Sequence, residues 1–248
     1  MVLGSALAFL AALFAVNSIP TWNLETRRMT RLEGLWVNVY CETEEDAARD
    51  VFALADERTE QIARALGFTE KQEVNVYIYD AQSTMQTKKY GLIGPLLGLD
   101  WYIGDNIGAD VILTSPANPG PVHSYDNNKN AVLHEIVHAY ISVENPDIAL
   151  WLTEGTALYL TNGEPFHREV LKYLELPSCA DTTSRNPVRF STCGGYTFAH
   201  TYIEYLDATY GWDAVRALLA GGSYEETLHA TQPEVYAAWV EFVRAYPQ

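Results

Sequence analysis

His134-Glu135-Ile136-Val137-His138 stands inside an apolar stretch, AVLHEIVHAYI. Residues four apart on a helix are neighbours on one face. Both imidazoles can then reach one Zn²⁺ at about 2.0–2.1 Å. Glu135 follows the first histidine directly and is placed to act as general base on an attacking water. Burying two histidines and a glutamate in a core helix without a shared partner would be costly. The pattern therefore predicts metal chemistry in preference to a plain core helix.

Catalytic zinc takes three protein ligands and leaves a fourth position open. Glu154 is the candidate for the third. It lies in an otherwise apolar segment, ALWLTEGTALYL, where a lone carboxylate demands a partner. A turn at Asn145-Pro146 can fold this second helix back antiparallel and return Glu154 to the histidine pair. The plainer alternative is a glutamate on the exposed side of a half-buried helix.

These residues need elements to hold them. Leu35 to Tyr40 alternates apolar and polar residues and predicts a strand. An amphipathic helix follows over about 44–66, with Ala48, Val51, Phe52, Ala55, Ile62, Ala63 and Leu66 on one face and Gly67 at its end. Val74 to Tyr79 and Asp110 to Thr114 predict two more strands. The intervening stretch holds Gly91, Gly94, Gly98, Gly104 and Gly108 but no Gly-Lys-Ser/Thr. It is not a phosphate loop, and it reads as a long mobile loop. Pro116 to Lys129 reads as a junction. Helices are expected over about 130–143, 148–162, 165–175, 195–210, 212–220, 224–230 and 233–246. The first half thus mixes strands with helix and the second is all helix, an α+β arrangement with a helical second lobe.

With these residues and this layout, the chain resembles the gluzincin zinc metallopeptidases, in particular the peptidase MA-like branch related to thermolysin and the zinc aminopeptidases. HEIVH followed by W-L-x-E-G carries the resemblance, and Gly195-Tyr196-Thr197-Phe198, Tyr205-Leu206 and Tyr210-Gly211 extend it. It covers about residues 33–246. It implies a zincin-like fold with the zinc site in the cleft between the two lobes, and one Zn²⁺ per chain on His134, His138 and Glu154. It implies Glu135 as catalytic base. Members of the family stabilise the oxyanion with a Tyr or His from the second lobe. That role falls to Tyr196, with His200 as runner-up and Tyr202 and His123 behind. Two departures narrow the likeness. Thermolysin-like members carry an Asp four residues after the ligand Glu, where this chain has Leu158, so the partner orienting His134 comes from elsewhere. The G-x-M-E-N motif of the aminopeptidases is missing, which argues for an endopeptidase or another hydrolase. The resemblance also implies that Asp110–Thr114 is the edge strand that aligns peptide substrates by backbone pairing.

Composition sets the outer bounds. The chain has 248 residues, 48% hydrophobic and 19% charged, which excludes a disordered chain. A chain this long builds a core without a structural metal, so a bound metal serves chemistry. Net charge is −16, and such a surface repels phosphate backbones, so no nucleic-acid partner is expected. Three cysteines make no thiolate zinc site, for there is no C-x-x-C. Cys179 and Cys193 are close enough in sequence to pair in an oxidising compartment. Without G-x-S-x-G, a covalent serine hydrolase is disfavoured.

Residues 1–20 read as an apolar signal or anchor segment, with membrane attachment through residues 1–16 and a secreted or membrane-anchored, extracytoplasmic location. Against this, no Lys or Arg precedes the run, and Arg27, Arg28 and Arg31 follow it. A buried N-terminal helix is the alternative. The expectation is a zinc-dependent peptidase acting on a peptide or protein substrate. The competing expectation is a zinc-binding interaction protein without catalysis.

Overall fold

The computed structural model describes residues 2–161 and 165–247. It is α+β: the described residues form ten α-helices and a five-stranded mixed sheet. The chain divides into two compact units. One comprises 1–60 and 70–136, the other 61–69 and 137–248.

The first unit holds the sheet. Its strands are β1 (Thr30–Glu33), β2 (Val37–Cys41), β3 (Val74–Tyr79), β4 (Gly104–Ile107) and β5 (Asp110–Thr114), in the order β1-β2-β3-β5-β4. The β2–β3 and β3–β5 pairs are parallel, and the β1–β2 and β4–β5 pairs antiparallel. The central strands are buried on both faces, as parallel strands are, and are rich in Val, Ile, Leu and Tyr. Tyr77, Tyr79, Met85, Tyr102 and Ile112 form one of its core clusters.

Two expectations are corrected here. Asp110–Thr114 is not the edge strand; β4 lies outside it. The Gly91–Gly108 stretch is not simply a loop, for it contains a 3-10 segment (Gly91–Leu97) and β4. Side-chain amides tie it down. Gln86 Nε2 donates to the Leu99 carbonyl at 2.9 Å, and Gln82 Nε2 donates to those of Asp100 and Tyr102 at 2.9 and 2.8 Å.

Four helices alternate with these strands: α1 (Val2–Ser18) precedes β1, α2 (Glu45–Ala65) joins β2 to β3, α3 (Gln82–Tyr90) lies between β3 and β4, and α4 (Tyr125–Glu144) follows β5; unit boundaries fall inside α2 and α4. Every residue from 6 to 16 of α1 is exposed, so the buried N-terminal helix is ruled out. Among the described residues no helix is long and apolar enough to cross a membrane. The α4 helix begins five residues before the expected start and shortens the Pro116–Lys129 junction. Ser124 explains this: its Oγ accepts the Asn127 N–H at 3.2 Å while Asn127 Oδ1 accepts the Ser124 N–H at 3.1 Å. That reciprocal cap fixes the first turn.

The second unit is helical: α5 (Leu150–Leu160), α6 (Pro187–Thr192), α7 (Gly195–Tyr210), α8 (Trp212–Leu219), α9 (Tyr224–Leu228) and α10 (Gln232–Arg244). The expected end of α5 at residue 162 lies outside the described residues. The expected helix 165–175 is only a 3-10 segment, Arg168–Lys172, with no buried residue to give it an apolar face. Trp151 is fully buried and packs edge-on against Phe190 and Trp239 at 5.6 and 5.9 Å. Burying such a side chain contributes roughly 2–3 kcal/mol. Gly155 lets α7 approach α5, since a Cβ there would stand 2.5 Å from the Ala199 carbonyl oxygen.

Candidate metal centre

The α4 helix is buried almost without break from Val132 to Ile141. Val132, Ile136, Val137, Ala139 and Tyr140 have no exposure at all. His134 and His138 are the two residues of that run that keep appreciable access to solvent. They are one turn apart, so they open the same face of the helix. The α5 helix repeats the pattern, for Glu154 is the one partly exposed residue between Trp151 and Ala157.

Those three breaks in two buried helices come together. One ligand atom from each of His134, His138 and Glu154 lies within 4.8 Å of the others. His138 Nε2 is 3.6 Å from Glu154 Oε1, with the two side chains 12% and 15% exposed. A tetrahedral ion about 2.1 Å from each ligand sets the ligand atoms roughly 3.4 Å apart. The group could therefore hold a metal ion, and its donor set of two imidazoles and one carboxylate suits a divalent transition metal.

Glu135 is buried beside the first histidine, only 9% exposed. It faces the start of β4. A Cβ on Gly104 would come within 3.2 Å of Glu135 Cγ and 3.4 Å of its Oε1. Gly104 was not predicted. A glycine opening a four-residue strand carries no signal of its own until the register with Leu113 is known.

The remaining candidates differ in placement. Tyr196 sits in the first turn of α7, 49% exposed, its ring edge-on to Phe190 at 5.0 Å. His200 is one turn further on, near Phe166, with Nε2 buried and no hydrogen-bond partner. Burial pushes its imidazole pKa down, since desolvation disfavours the charged form. Tyr202 is fully buried and donates its hydroxyl to Tyr224 at 3.0 Å, a structural role. His123 Nε2 is 2.8 Å from the Trp101 carbonyl oxygen.

Cys179 and Cys193 are not paired. The Cys179 thiol donates to Gln232 Oε1 at 3.0 Å, and the Cys193 thiol to the Phe190 carbonyl at 3.3 Å. No protein-family profile matches this sequence, and no curated protein is similar to it at a significant level.

Proposed function

We propose that this chain is a zinc-dependent metallohydrolase, a peptidase of the zincin-like, gluzincin type. The observation that carries the reading is the convergence of His134, His138 and Glu154 with Glu135 buried alongside. A bound Zn²⁺ would polarise the scissile carbonyl and make an attacking water more acidic. Glu135 takes the water proton and delivers it to the departing amine. Tyr196, half-exposed at the start of α7, is the proposed donor to the oxyanion.

β4 is an outer strand of the sheet, the position at which an extended peptide can add by backbone pairing. Gly104, at the start of that strand, lies against Glu135. A substrate running along this edge would thus bring its backbone to the base. The proposed setting is outside the cytoplasm, with α1 holding the chain at a membrane.

Elemental analysis of the purified chain should give about one zinc per chain. A peptide library should then be cleaved. Glu135→Gln should retain zinc and lose about 10²–10⁴-fold in turnover. No zinc after incubation with excess metal would overturn the proposal. Zinc without cleavage of any peptide would favour the interaction-protein reading.

A further inference from the structure

Most of the large hydrophobic side chains left exposed among the described residues fall in two segments. The first is α1 and the turn after it, where Leu7, Phe9, Leu10, Phe14 and Trp22 are 60–74% exposed. The second is the stretch after α3, where Leu92, Ile93, Leu97 and Trp101 are about half exposed and Leu96 is 82% exposed. Far apart in sequence, the two are joined in space by Asn17. Its Nδ2 donates to the Tyr90 carbonyl at 3.0 Å, and its Oδ1 accepts the Ile93 N–H at 3.0 Å.

We infer that the Gly91–Trp101 segment is a second membrane-contacting element, inserting into the same bilayer face as α1. Lipid is the occupant because α1 is exposed around its whole circumference from residue 6 to 16. A single partner surface covers one face of a helix, whereas hydrocarbon surrounds a helix that is apolar on every side. No charged side chain occurs before Glu25. At 17 residues, α1 is about 25 Å long, short of the roughly 30 Å hydrocarbon core. Membrane binding strengthens with the apolar area buried, and the Leu92–Leu97 cluster adds to that of α1. Trp22 and Trp101 suit the boundary between headgroups and acyl chains.

This inference rests on the proposed attachment through α1 and is independent of the zinc chemistry. The full chain is reconstituted with phosphatidylcholine vesicles, with and without dibrominated acyl chains. Flotation reads the anchor. The emission lost to brominated lipid, compared between the intact chain and Trp101→Phe, reads the loop. The intact chain should float, and the emission assigned to Trp101 should be largely quenched. Leu96→Asp with Leu97→Asp should lower the fraction recovered with vesicles severalfold. A chain that floats while its Trp101 emission is untouched overturns the loop alone. A chain that does not float overturns the loop and the anchor together. Trp101 shielded from brominated lipid in a chain that sediments as a dimer would assign the patch to a second copy and overturn the inference.

Discussion

Two helices of this chain, α1 and α5, are almost equally apolar, and their fates are opposite. In α5, Trp151, Gly155, Thr156 and Ala157 are buried, and the helix packs on α7 through Gly155. In α1, every residue from 6 to 16 is exposed. Apolar composition alone does not tell a core helix from one destined for another medium. The lone charged residue does. The α5 helix keeps a carboxylate, Glu154, within a seam that would exclude it unless something collected its charge. From Val2 to Ala15 the only polar side chain is Ser5, and nothing there calls for a partner.

The difference is measurable. Trp151→Ala should destabilise the chain by about 3–5 kcal/mol in denaturant unfolding, the cost of a large cavity in a packed core. A loss under 1 kcal/mol would mean that α5 is not the core element its burial indicates. Glu154→Leu removes the one charged side chain of α5. It should weaken zinc binding by more than about 100-fold, beyond the loss caused by removing a ligand's supporting partner. Equilibrium dialysis measures this, and unchanged affinity would remove Glu154 from the site.

Asp181 gives a smaller effect at the start of α5. Ser184, in the same turn, accepts the Leu150 N–H at 3.2 Å. Burial alone would raise the Asp181 pKa. The Ser178 hydroxyl and N–H, at 2.6 and 2.7 Å, and the Arg189 guanidinium overcome this and hold it below the ordinary carboxylate value. A depressed folded pKa contributes stability that is fully present above the unfolded value of about 3.9. That stability is lost as pH falls from there through the folded value. Asp181→Asn should cost about 1 kcal/mol at neutral pH, since Arg189 is half-exposed and screened by solvent. It should also flatten the acid limb of the stability–pH curve. An unchanged acid limb would show that the contacts of Asp181 do not support the fold. The smallest effect belongs to α1. Phe14→Ala should change unfolding stability by no more than about 0.5 kcal/mol, as exposed positions do. A larger loss would mean that α1 packs against the fold after all.

Where side chains report their surroundings, the primary structure was readable. The β3 and β5 strands have the bounds their β-branched and aromatic residues predict, and α7 begins and ends between its two glycines as expected. The metal-ligand group was readable too, because polar residues one turn apart in an apolar helix leave few alternatives. Four helices and strands were not predicted: β1, α3, β4 and α6. The α3 helix buries only Met85 and Gln86, too little to set up a period. The β4 strand, Gly104–Ile107, lacks branched residues until its last position and exists through its pairing with β5. The α6 helix is under two turns long. Its start was nonetheless marked by Asn186, whose side chain accepts the Val188 and Arg189 N–H groups, followed by Pro187. Gly104 beside Glu135 could not be found without the fold, since the two lie far apart in the chain.

Asn17 also couples two segments mechanically. Its carboxamide satisfies one carbonyl and one N–H of the Tyr90–Ile93 turn. A displacement of the end of α1 would therefore be passed directly to Leu92–Leu97, and Asn17→Ala would uncouple the two.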